Sequence, residues 1–170
     1  HRLMSSPQLP DFFMQFQDIE SILDDLRNSD KNVRAKATDQ LIKTGTRAVT
    51  YLLPLLDDED WVIRYRSLEA LSGIRDTCTI DAIIKKTDDP KDHVRYMAAK
   101  ALCAMNDERV INVLAKMLSD DHSYTRKIAA DGIAGSGDSS SETLLQNALI
   151  KETEPDVRAC LEDALCRIKK

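Results

Sequence analysis

In the stretch DWVIRYRSLEALSGI, Asp60 to Ile74, Arg64 stands directly after the apolar pair Val62-Ile63, on the border of a face that is buried if the stretch is helical. A guanidinium there can clamp an anion, polarise a carbonyl, or satisfy carboxylates of the scaffold, because it holds five donors in a rigid fork. Other residues capable of chemistry are sparse. Cys78, Cys103, Cys160 and Cys166 have neither the paired spacing nor the neighbouring histidines that zinc needs, so they read as small, buried, free thiols and no metal is expected. The stretch from Gly132 to Gly137 is glycine-rich, but it lacks the lysine and the preceding strand of a phosphate loop. It reads instead as a helix end and a tight turn.

The elements that position these residues must be helices. Glycine and proline number only five each among 170 residues, aromatics are few, and Ala, Leu, Ile, Asp and Lys abound. A hydrophobic content of 42% supports a core, and the formal charge of −5 gives no global attraction to nucleic acid or to an anionic membrane. No apolar run has the length of a membrane span and no secretory signal is visible, so a cytoplasmic location is expected. Residues 1–10 read as a flexible N-terminal segment or an expression remnant, and 11–170 as a single domain.

The arginine recurs. Val33-Arg34, Ile63-Arg64, Val94-Arg95, Thr125-Arg126 and Val157-Arg158 are spaced by 30, 31, 31 and 32 residues. Three positions after each arginine stand Ala37, Ser67, Ala98, Ala129 and Leu161, and seven after it Leu41, Leu71, Leu102, Ile133 and Leu165. Offsets of −1, +3 and +7 make one apolar stripe along a helix, here called helix B of each repeat. Acidic or polar turns precede each B helix, and before them lie shorter periodic segments, the A helices: Asp18 to Arg27, Arg47 to Leu56, Thr79 to Lys86, Asp107 to Leu118 and Ser139 to Ile150. Ser139 and Glu142 have the spacing of a capping box.

A helix pair of about thirty residues cannot bury its apolar face alone. The expected fold is therefore all-α: a right-handed or gently curved α-solenoid of about five antiparallel helix pairs, with repeats near 18–44, 45–75, 76–106, 107–137 and 138–170. The columns at +4 and +6 flank the core stripe, so one should face the next repeat and the other the previous one. Gln40 in the first repeat and Glu162 in the last are polar where the others are small or apolar, which suggests solvent-facing ends of a complete array. Asp11 is placed to cap an elongated first A helix, with Phe12, Phe16, Ile19, Leu23 and Leu26 on one face. Phe13 and Met14 fall off that stripe, so Phe12, Phe13 and Phe16 form a candidate self-association segment as well as a candidate end cover.

With these features the chain resembles the HEAT-like repeat family, in the short-repeat type named after phycobilisome lyases. The resemblance rests on the period, the Val/Ile-Arg pair, the Ala or Ser three residues on, and the endings Glu69-Ala70-Leu71 and Lys100-Ala101-Leu102. It implies an α-solenoid, armadillo-like in its superhelix, whose concave surface is lined by B helices and binds another protein. It also implies that Arg34, Arg64, Arg95, Arg126 and Arg158 form a structural ladder with turn carboxylates, the candidates being Asp30, Asp60, Asp89, Asp92, Asp121 and Asp156. Deoxyhypusine hydroxylase-like members use His-Glu pairs for iron, but His93 precedes Val94 and His122 precedes Ser123. The DNA glycosylase members carry a basic concave surface that this acidic chain does not match. The bilin lyases and isomerases remain an enzymatic alternative, handling a tetrapyrrole chromophore.

Function is expected at positions that vary between repeats, on the side of helix B opposite the stripe, at offsets −2, +1 and +5 with −3 at the edge. This strip holds Trp61, Tyr65, Glu69, His93, Tyr96, Lys100, Tyr124, Lys127 and Asp131, and with them every Trp and Tyr except Tyr51. Amphipathic aromatics among mixed charges are anchors of protein interfaces. The expectation is thus a non-catalytic adaptor for a protein or peptide, without cofactor, catalytic residue, nucleic acid or membrane partner, and with its oligomeric state open.

Overall fold

The computed structural model describes residues 19–136 and 138–168. Residues 1–10, Asp11 and the aromatic segment with Phe12, Phe13 and Phe16 lie outside the described residues. Every regular element among the described residues is helical.

The B helices are α2 (Lys31–Thr44), α4 (Trp61–Ile74), α6 (Asp92–Cys103), α8 (Ser123–Gly135) and α10 (Pro155–Ile168). Each packs on the next, α2 on α4, α4 on α6, α6 on α8 and α8 on α10. Their −1, +3 and +7 side chains form the core, with only Val33 and Leu165 half-buried. Asp30 and Asp60 start α2 and α4 by accepting the backbone N–H two residues on. The +4 side chains Thr38, Leu68, Ala99 and Ala130 are buried, while Glu162 is exposed and Gln40 is half-buried rather than solvent-facing.

The A helices are less regular than the periodicity predicts. The first is the helical segment 19–25 (α1). The second is split into a 3-10 turn at Gly45–Ala48, a single α turn at Val49–Leu52 (α3) and a 3-10 turn at Leu53–Asp57. Pro54 causes the second break, since it has no N–H to continue the α-helical ladder. The third keeps six α-helical residues, Ile80–Lys85 (α5), between 3-10 turns. Among the described residues only the A helices α7 (Glu108–Met117) and α9 (Glu142–Lys151) run for ten residues. The expected capping box at Ser139 is replaced by Asp138, which caps the preceding 3-10 turn through the Ser140 N–H.

The helix end expected in the glycine-rich stretch is at Gly135, the last residue of α8, with Gly132 inside the helix. Gly132 is required by packing: a Cβ there would stand 2.3 Å from Cys103 Sγ and 2.7 Å from Leu114 Cδ1. This contact shows that the +6 column faces the preceding repeat. The cysteines are free, as expected, but not uniformly buried. Cys78 and Cys166 are exposed, whereas Cys103 and Cys160 are half-buried.

Candidate functional site

The recurrent arginines tie neighbouring turns together. Arg64 donates from Nε and Nη2 to both oxygens of Asp89, at 2.9 and 3.0 Å, and from Nη1 to the carbonyls of Asp58 and Glu59. Arg95 forks Asp120 in the same way while holding the carbonyls of Asp89 and Pro90. Arg126 forks Glu152 while holding those of Asp120 and Asp121. Each guanidinium thus binds its own turn and the next repeat's carboxylate, and the acid in turn accepts the N–H two residues on, from Lys91, His122 or Glu154. Four of the five donors of Arg64 are occupied and its side chain is 13% exposed, so it offers no free electrophile to a ligand.

The acids that take the forks stand six residues before the next arginine, and only Asp89 belongs to the set expected from the sequence. Asp30 and Asp60 cap helices, Asp92 meets histidines, Asp121 contributes its backbone carbonyl, and Asp156 lies 3.9 Å from Lys127. At the first repeat Arg34 holds the carbonyls of Asn28 and Ser29, but Asp58 is taken by Arg27, and Arg34 Nε is buried without a partner. Arg158 holds the carbonyls of Leu149 and Glu152.

On the N-terminal edge of the central B helices the rings form a continuous train. Tyr65 meets Trp61 edge to face at 6.4 Å between centroids; Trp61 meets His93 at 5.2 Å, His93 meets His122 at 6.1 Å, and His122 meets Tyr124 at 5.5 Å. Three cations lie over its faces: Lys91 over Trp61 at 4.5 Å, Lys127 over Tyr124 at 5.2 Å and Arg66 over Tyr65 at 5.9 Å. Asp92 sits between the two imidazoles, 2.7 Å from His93 Nδ1 and 3.6 Å from His122 Nε2. The hydrogen bond from His93 holds the Asp92 carboxyl below the usual carboxylate value. Burial raises the Tyr65 phenol above its ordinary value, with Glu69 adding to the shift.

The structure therefore divides the expected strip. Trp61, Tyr65, His93 and Tyr124 join one train, and Tyr124 is 61% exposed. Trp61, Tyr65 and Tyr96 also pack against the core with part of each ring. Lys127 covers Tyr124, Glu69 is paired with Arg66 at 2.9 Å, and Lys100 is exposed. Asp131 is paired with Arg167 beside a separate open groove of about 570 Å³ that Cys103, Met105, Ile111 and Ile128 also line. Burial pushes the Cys103 thiol up to about 12, which leaves it unreactive at neutral pH. His122 and Lys91 are absent from the strip expected from the sequence, and Asp92, expected to pair with an arginine, meets the histidines instead. Lys91 and His122 both stand at offset −4, the position just before the Trp61 offset of −3, and Lys91 lies over the Trp61 ring while His122 joins His93 to Tyr124.

Among the described residues no three His, Cys, Asp or Glu side chains stand together as a metal site would require, and no helix is long and apolar enough to cross a membrane. The HEAT repeats family is matched over residues 19–85 and 80–166. Comparison with functionally curated proteins gives no match. Among solved structures, the chain is similar to one in the complex of CpcE and CpcF of phycocyanin lyase from Nostoc sp. PCC7120. The TM-score is 0.80 at 23% identity, over 88% of this chain and 98% of that one. An engineered protein gives 0.64 at 22% identity over 93% and 82%. A designed armadillo repeat protein in complex with the peptide (KR)4 gives 0.58 at 15% identity over 92% and 84%.

Proposed function

Since the chain belongs to the HEAT-repeat family, we propose that it is a non-catalytic scaffold that binds another protein or a peptide along the face of its B helices, at the ring train through α4, α6 and α8. The observation that carries this reading is the contrast between two sets of large side chains. The recurrent arginines spend their donors inside the scaffold, whereas the non-recurrent rings lie in line, partly solvent-facing, with Tyr124 at 61% exposure. Rigid amphipathic rings of this kind are the usual anchors of interfaces. Similarity in fold to a subunit of a two-protein complex and to a peptide-bound repeat protein supports it.

The test is affinity capture with wild-type protein and with a Trp61→Ala, Tyr124→Ala variant whose melting temperature is checked. The variant is expected to lose the specific partners. Retention of all of them by a folded variant removes the strip from consideration.

The likeness to the phycocyanin lyase structure favours a second reading, an accessory that handles a tetrapyrrole or the protein that accepts it. Co-incubation with bilin separates the two: a bound or transferred chromophore, seen as visible absorbance on the protein, supports this reading over the adaptor.

A further inference from the structure

The ring train is embedded in an uneven charge pattern. In the third and fourth repeats its neighbours are the ammonium groups of Lys91 and Lys127 and the imidazoles of His93 and His122, and Lys100 lies exposed two turns further along α6. Among the described residues Lys91 and Lys100 have no carboxylate partner, and Lys127 has only the exposed Asp156 at 3.9 Å. Of the acids beside the strip in the same two repeats, Asp92 is engaged by His93 and Asp131 by Arg167, while Asp121, next to His122, is exposed. The flanking repeats add acids on this face, Asp60 and Glu69 before, the latter held by Arg66, and Asp156 and Asp163 after, the latter held by Arg167. An acidic chain thus concentrates free cations on aromatic faces at the middle of the strip.

The spacing matches an extended polypeptide. Successive rings from Trp61 to Tyr124 stand 5.2, 6.1 and 5.5 Å apart. An extended segment rises about 3.3 Å per residue, so side chains on one of its faces recur every 6.6 Å or so. Such a segment can lay alternate side chains across the outer faces and edges of successive rings. A carboxylate brought there meets Lys91 or Lys127 on a surface half-covered by rings, where Coulomb attraction exceeds that in open water.

We propose that the occupant of the strip is an extended acidic segment of another protein, with carboxylates at alternating positions, docked between Trp61 and Tyr124 and held by Lys91 and Lys127. This rests on the reading of the strip as a binding surface and names the chemistry of its partner.

Trp61 is the only tryptophan in the chain, so its emission reports on the middle of the strip directly. The probes are fluorescently labelled dodecapeptides, one alternating Glu and Ala and one alternating Lys and Ala, with a twelve-residue oligothymidylate as a polyanion without the peptide backbone. Peptide anisotropy and Trp61 emission are followed together. The acidic peptide is expected to saturate both signals, to bind about tenfold more weakly to a Lys91→Glu, Lys127→Glu variant, and to weaken as salt rises from 50 to 500 mM. Preferential binding of the Lys peptide, oligothymidylate binding as tight as that of the Glu peptide, or no saturable binding of the Glu peptide overturns the proposal. If the Trp61→Ala, Tyr124→Ala variant loses its captured partners while the Glu peptide fails to bind, the assignment of an acidic partner falls and the binding surface stands. If capture is also unaffected, both fall.

Discussion

At 64, 95 and 126 the site asks for donors in two directions at once, which arginine supplies and lysine does not. One nitrogen holds the carbonyls of its own turn, while Nε and Nη2 present the parallel pair of N–H groups that a carboxylate accepts. Glu152 shows what this does to an acid. Burial by itself would raise its pKa, but the Arg126 fork and the N–H groups of Glu154 and Thr153 prevail and hold it below the ordinary 4.5. The folded state therefore binds the Glu152 proton less readily than the unfolded chain. The stability this contributes is fully present above the unfolded value near 4.5 and is lost as pH falls through the lower folded value. Glu152→Gln should cost about 1–3 kcal/mol at pH 7, between the cost of breaking an exposed pair and that of breaking a fully buried one, because Arg126 keeps some exposure. Urea unfolding at pH 7 and at pH 3 checks this, and the difference between variant and wild type should shrink at the acid end. The arginine column was legible as a strict recurrence. Of its acid partners Asp89, Asp120 and Glu152, six residues before the next arginine, only Asp89 was expected, because runs such as Asp57-Asp58-Glu59-Asp60 place several carboxylates within one turn. Only the turn's geometry separates the one that faces the preceding arginine from the one that caps a helix.

At the scale of elements, the B helices follow the −1, +3, +7 pattern closely and the A helices do not. The difference is physical. Each B helix packs on one or two neighbouring B helices and presents a long regular stripe, whereas Pro54 interrupts one A helix and only six α-helical residues remain in another. Close approach of B helices also explains Gly132, in the stretch read from the sequence as a helix end and a tight turn. Gly132→Ala sets two effects against each other. Alanine favours the helix by about 1 kcal/mol, while its methyl meets Cys103 Sγ at 2.3 Å and Leu114 Cδ1 at 2.7 Å, an overpacking worth about 1–3 kcal/mol. The substitution should lower the melting temperature in the wild-type background and do so less in Cys103→Ala, where the nearest obstructing atom is gone. A higher melting temperature on introducing the alanine into wild type would contradict the packing described for α6 against α8.

For the molecule as a whole, stacked repeats interact chiefly with their neighbours, so stability is distributed along the array and the surface is a row of variable positions on a constant frame. The frame was legible in the sequence, because five copies of one pattern leave few alternatives to a helical solenoid. The surface was only partly legible. Trp61, Tyr65, His93 and Tyr124 could be placed on one side of their helices, but their meeting through His122 depends on how α6 and α8 are set against each other, which periodicity does not encode. What docks on such a frame is decided by those side chains and not by the fold. The central claim, that partners engage the ring train, is tested most directly by site-specific photocrosslinking. A benzophenone amino acid is placed either at position 124, in the train, or at position 112, on the exposed side of α7. Under conditions where the partner is captured, crosslinking is expected from position 124 and not from position 112. Crosslinking from 112 alone would contradict the account.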